Sequence, residues 1–216
     1  MALLNIPELE QSLVIDVFDV KSNENHQYDL PVHYKGHLIN TNFALDTQLT
    51  NLSVLGKENG YQHLWLKAKA QPKAGLSQIT WLNKNGRFYT HSSIMDGDSS
   101  LIFTQIGAND PLFNLRNENA FIKRKTNSKN HTFVSVLEPH GEYNPSKEFT
   151  LDAVSKLTAL AHIKQKEIDV ITFTVGKQPY ALAINNVTAI NENASFKIAG
   201  KKYPLKGRFA LIKLAQ

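Results

Sequence analysis

Turn-forming residues recur along this chain too often to leave room for long helices. Breakers stand at Pro72 to Gly75, Asn83 to Gly86, Asp96 to Asp98 and Asn127 to Asn130, and again at Gly176-Lys177 and Gly200-Lys201. Gly and Asn reach backbone angles that other residues avoid, and Pro fixes one angle, so each cluster ends a regular element. Between them lie runs rich in β-branched and aromatic residues: 12–20, 62–70, 76–82, 86–93, 99–106, 119–125, 131–138, 168–175, 179–185, 194–199 and 207–213. Side chains of that shape suit a pleated surface. This rhythm predicts an all-β fold, an antiparallel β-sandwich. WLNKNGRFY reads as a hairpin with Asn85-Gly86 at its tip, because a tight reversal needs positive φ. Two stretches are ambiguous. Residues 150–163 fit a short helix, with a strand at 156–163 as the alternative, and 187–193 fit a loop or a short strand. After Tyr143 the sequence becomes plainer and richer in Lys. We read that part as further sheet of the same sandwich, giving one domain over 1–216.

Composition narrows the partners. The net charge of +5 suits a polyanion, either an acidic polysaccharide or a nucleic acid. A mixed, solvated surface is the plain alternative. The positive residues are scattered except at Lys123-Arg124-Lys125 and Lys201-Lys202. Nucleic acid rests on charge alone, because basic residues do not interleave with aromatics as in RNA-binding motifs. No cysteine is present, which excludes disulfides, thiol catalysis and Cys-bound zinc. No apolar run reaches membrane-spanning length. The first residues, MALLNIPELEQ, lack the basic start and apolar core of a signal peptide.

Several side-chain groups invite a chemical reading. Tyr61, His63 and Trp65 would share a face if they lay on a strand, with Tyr and His for proton transfer and Trp for stacking on a sugar. Arg87, Tyr89 and His91 alternate in the same way, and Arg grips a carboxylate through two parallel hydrogen bonds. These six are the candidate substrate-binding residues. Each set has an ordinary alternative: a core face for the first, a solvated sheet face for the second. His33 and His37 have zinc-site spacing, but Pro31 and Gly36 oppose the helix such a site needs. His26, Asp29 and His33 do not alternate clearly onto one face. Asp96-Gly97-Asp98 reads as a hairpin tip rather than a calcium loop, since the further oxygen ligands are absent. Asn109-Asp110-Pro111 with Asn114-Leu115-Arg116 reads as a structured loop. We assign no metal, no cofactor and no catalytic residue.

One long stretch carries a family resemblance. HQYDLPVHYKGHLINTNF, LGKENGYQHLWLKA, TQIGANDPLFNLRNENAFIKRK and FVSVLEPHGEY follow one another between His26 and Tyr143. In this order they resemble the C-terminal part of the alginate lyases of polysaccharide lyase family seventeen, in the heparinase II/III-like group. The resemblance is good over 3–150 and loose beyond. It implies a β-sandwich that normally follows a helical toroid, with uronate β-elimination carried out between the two. The resemblance places the catalytic Asn-His pair and Tyr in the toroid, a His-x-His-x-Asp motif near the start of the sandwich, and a further His in a later His-Asn-Thr segment. Neither His-x-His nor His-Asn-Thr occurs here, and Asn130-His131-Thr132 is only similar in composition. No functional residue of the family therefore transfers to this chain.

The resemblance implies a lyase portion lacking its catalytic toroid and inactive alone, from a periplasmic or secreted protein. A stand-alone module that binds acidic carbohydrate is the alternative. If the chain starts inside a sandwich, the strand at 12–20 has an unpaired edge. Val14, Val17 and Phe18 then lose cover, and a homo-oligomer through that edge is expected.

Overall fold

Seventeen strands account for the described part of the chain. The computed structural model describes residues 1–47, 50–109, 117–187 and 194–215. Strands β1 (Ala2–Leu4), β2 (Leu13–Tyr34), β3 (His37–Thr41), β4 (Asp46–Thr47) and β5 (Ser53–Val54) precede a single 3-10 turn at Tyr61–His63. There follow β6 (Leu64–Ala70), β7 (Gly75–Leu82), β8 (Arg87–Met95), β9 (Ser99–Ile106) and the 26-residue β10 (Asn119–Asn144). The last part holds β11 (Phe149–Leu151), β12 (Leu157–Gln165), β13 (Ile168–Val175) and β14 (Gln178–Asn185), then β15 (Ala194–Ile198), β16 (Lys201–Leu205) and β17 (Phe209–Lys213). All pairings are antiparallel, as the strand-and-turn rhythm predicts. The loop expected around Asp110 to Arg116, and most of 187–193, fall outside the described residues.

Two long strands organise the large sheet. β2 and β10 pair over most of their length, from Asn119 opposite Tyr34 to Leu137 opposite Val14. On its other side β10 meets β9 over Asn119–Lys125 and β8 from Ser135 onward. The register shifts between these segments, around Ser128, and Asn127 takes a positive φ of 51°. Such bulges bend a strand sharply. The sheet therefore folds over on itself into two layers. Trp81 of β7 stacks near Tyr34 of β2, with ring centroids 5.2 Å apart, although the two strands are not neighbours. Ile79, Met95, Phe103 and Phe121 fill the space between the layers.

A separate sheet, β12-β13-β14-β17, covers the far face of the β8-β10-β2 layer. Leu13, Ile15, Val134 and Val136 meet Leu157, Ile171, Phe173 and Leu182 there. Burying these side chains fully is worth about 1.5–3 kcal/mol each. The connection is anchored by Glu138, only 1% exposed. Its carboxylate accepts hydrogen bonds from the backbone of Lys156 at 3.0 Å and Leu157 at 3.4 Å, and from the Ser155 hydroxyl. The β15-β16 hairpin lies on the outer face of this sheet, with Phe196 and Leu205 buried against Val170 and Ala183.

Three expectations need adjustment. The stretch at 150–163 is not helix: after a bend at 152–156 it enters β12 at Leu157, as the strand alternative expected. A register shift between Leu157 and Ala159 turns Leu157 and Leu160 both inward, and that spacing of three imitates helical periodicity. The strand at 12–20 pairs with β10 on one side and, on the other, with β1 only beside Leu13–Ile15, so the expected open edge is confined, among the described residues, to Asp16–Val20. Val14 is half-buried and Val17 packs against the inter-sheet core, whereas Leu3 and Phe18 stay 71% and 49% exposed. Tyr61 and His63 do not share a strand with Trp65, because Asn59 and Gly60, with φ of 58° and 85°, start a turn there.

Candidate functional site

Alternation along the first half of β10 sends neighbouring residues to opposite faces. Phe121 points between the layers, and Ile122 and Arg124 point outward. Arg124 faces Asp29 of β2 in register. Its Nε donates to Asp29 Oδ1 at 2.8 Å and its Nη2 donates to Oδ2 at 2.7 Å. The Tyr61 hydroxyl donates to the same carboxylate, and the guanidinium lies 5.7 Å from the Tyr61 ring centre. Asp29 strengthens the proton hold of Arg124. Burial, then Asp29, raise the Tyr61 phenol above its ordinary value. Tyr61 is thus a hydrogen-bond donor here and a poor general base.

Arg124 also borders a groove. Asp46, Lys69, Gln71, Ser100, Ile102 and Arg124 line a hollow of about 350 Å³. A second hollow of about 430 Å³, lined by Asp98, Thr126 and Asn127, shares Gln71 and Ser100 with it. Both signs of charge are present. Asp29 balances Arg124, Asp46 stands opposite Lys69 across β4 and β6, and Lys125 reaches Asp98 at 3.6 Å. The groove offers many hydrogen-bonding groups but no concentrated positive field, which suits hydroxyl-rich ligands better than a dense anion.

The inner face of the same strand differs. Lys123 is 2% exposed, and its Nζ donates to Val134 O at a long 3.4 Å and lies 5.5 Å from the Phe133 ring centre. Burial lowers its pKa to about 7. His91 is 5% exposed, its Nδ1 has no partner, and burial lowers its pKa to about 3, with Lys123 adding repulsion. Lys125 pairs with Asp96 at 2.9 Å, which ties down the β8-β9 turn as a polar hairpin tip.

The six expected site residues are not brought together. Trp65 lies on β6, half-buried, and His63 ends the 3-10 turn, where its carbonyl accepts from Gly107 N at 3.0 Å. Arg87, Tyr89 and His91 do share a face of β8, which turns interior along the strand: Arg87 and Tyr89 are half-buried and His91 is buried. Tyr89 stacks on Trp81 at 5.8 Å, and His91 packs edge-on to Phe121 at 5.0 Å. His33 and His37 are exposed on β2 and β3, and no cluster of three metal-binding side chains occurs among the described residues. Arg124 was visible only as part of a basic triplet. Its partner Asp29 is 95 residues away, beyond any local pattern.

The fold and grooves define an antiparallel β-sandwich protein with shallow, polar surface hollows. Comparison with known proteins is more specific. The chain is 36% identical over 210 residues to an alginate lyase of Stenotrophomonas maltophilia, matching 97% of this chain and 28% of that protein. It is 34% identical over 198 residues to an exo-oligoalginate lyase of Saccharophagus degradans, matching 90% of this chain and 26% of that protein. The chain therefore spans about a quarter of the length of these relatives. No family profile matches it.

Proposed function

We propose that this chain is the β-sandwich portion of an alginate-lyase-type protein of polysaccharide lyase family seventeen, with a heparinase II/III-like build. The carrying observation is identity of 34–36% across 90–97% of the chain to two alginate lyases. In this reading the complete protein cleaves a uronate polymer by β-elimination. The substrate carboxylate is neutralised, a base removes the C5 proton, and the C4–O4 bond breaks to leave an unsaturated sugar. The groups that move protons come from outside this chain. Tyr61 is held as a donor to Asp29, and His91 is enclosed between the layers. The sandwich supplies a rigid wall and saccharide contacts, and the parent protein is periplasmic or secreted.

The isolated chain is expected to release no unsaturated uronate from polymannuronate or polyguluronate. The product absorbs in the near ultraviolet, so the assay is direct. Steady product formation that co-purifies with the chain would overturn the division of labour. A second reading, a stand-alone module for acidic carbohydrate, is favoured by the basic β15-β16 hairpin.

A further inference from the structure

The strongest concentration of unbalanced positive charge lies on the β15-β16 hairpin. Ala199 and Gly200, with φ of 47° and 81°, close a tight reversal, which puts Lys197 directly opposite Lys202. Phe196 and Leu205 point inward and are fully buried, whereas Lys197 and Lys202 are exposed. Like charges facing each other across a strand pair cost stability. Lys201, Lys206 and Arg208 extend the charge along the same edge, all exposed. Among the described residues none of these five cations lies within ion-pair distance of a carboxylate, whereas Lys125, Lys164 and Lys213 do.

The hairpin also walls a cleft. Gln165, at the end of β12, donates from Nε2 to Lys197 O at 2.6 Å and accepts from Lys197 N at 2.9 Å. This clasp brings the β12-β13 turn, with exposed Lys166, to the hairpin. Between them is a cleft of about 390 Å³, where Lys166 and Lys197 accompany Ile168, Ser195 and Phe196, and among the described residues Glu167 is its one acidic side chain. That volume falls within the range of small-ligand sites, about 300–1,000 Å³. An apolar wall with ammonium groups beside it matches a sugar ring that carries a carboxylate.

We infer that the β15-β16 hairpin is a binding surface for a linear polyuronate, with Lys197 and Lys202 on carboxylates along the chain and one sugar seated in the cleft beside Lys166. The choice of polyuronate rests on the function proposed above. The geometry also disfavours single-stranded nucleic acid, which needs free aromatic faces for its bases. Tyr203, the aromatic on β16, stacks on Phe196 at 5.7 Å, and Lys201 lies over its ring at 5.5 Å.

The test uses the whole chain and labelled mixed oligoalginate, titrated at several salt concentrations. The double variant Lys197→Ser with Lys202→Ser is compared with Lys57→Ser with Lys84→Ser, two exposed lysines elsewhere. Thermal melts check that both variants fold. The hairpin variant should bind at least about tenfold more weakly, and its salt slope should fall by about 1 to 2. The control variant should match the unaltered chain. Equal loss in both variants, or none in the hairpin variant, overturns the hairpin site and leaves the lyase-type reading standing. Salt-sensitive retention of DNA that depends on Lys197 and Lys202, with no oligoalginate binding, overturns the choice of polyuronate. No binding to either polymer overturns the hairpin site as well.

Discussion

Lys123 and Arg124 are adjacent cations with opposite circumstances. Arg124, on the outer face of β10, has a carboxylate in register and a two-pronged hydrogen bond to it. Lys123, on the inner face, has one long hydrogen bond and an aromatic ring. The outer charge is kept charged by its partner. The inner one is driven toward neutrality by burial. A run of like residues in a sequence therefore says little about where the field lies. On a strand, alternation divides it between two environments.

Replacement of Arg124 is the largest test of this contrast. Arg124→Ala leaves Asp29 mostly buried beside Tyr61 without its counter-charge, and should cost about 3 kcal/mol. Arg124→Lys restores charge without the fork and should cost roughly half as much. Urea unfolding at neutral pH measures both. Unchanged stability in Arg124→Ala would mean that the outer ion pair is no stronger than a surface pair.

Lys123→Met should act in the opposite direction and gain about 1–3 kcal/mol at pH 6, since replacing an uncompensated buried charge by an apolar side chain of similar length relieves desolvation. The folded-state pKa of about 7 lies below the ordinary 10.5, so the unfolded chain binds the extra proton between these values. The stability of the natural chain therefore rises from about pH 7 to 10.5, and the advantage of the variant shrinks over that window. A gain that does not change with pH would place the lysine's ammonium in water.

The smallest effect is expected at His91. His91→Leu should change stability by less than about 1 kcal/mol at pH 7, where the buried imidazole is neutral. The natural chain loses stability as pH falls from 6.5 toward 3, because only the unfolded state takes up the proton there. The variant should lose less over that interval, as read from unfolding midpoints on an acid series. Identical acid profiles would show that His91 does not sense the interior.

Local chemistry made the strand pattern legible. The turn at Gly86, the hairpin tip at Asp96–Asp98 and the reversal at Gly200 all stand where small or polar residues interrupt β-branched runs. The bulge at Leu157 was hidden because one inserted residue changes a period of two into an apparent three. The expected face of Tyr61, His63 and Trp65 failed at Asn59-Gly60, where two positive φ angles outweigh the strand propensity that follows. The solvated reading failed for Tyr89 and His91 because folding the sheet over puts a second layer on that face, and no alternation rule shows which face will be doubly covered. Of the two basic clusters noticed in the sequence, Lys201-Lys202 marked the open surface, and Lys123-Arg124-Lys125 did not.

The course of β2 and β10 through both layers has a kinetic consequence. Their ladder joins segments as distant as Asp19 and Thr132, 113 residues apart. Neither layer can form its central pairing until that intervening chain has collapsed enough to close a long loop, and the entropy of closure comes before the contacts that reward it. Refolding should therefore be slow for a chain of this length. During that wait the apolar strands of both layers are open to other chains, so the yield of native protein is set by concentration and temperature during synthesis rather than by final stability.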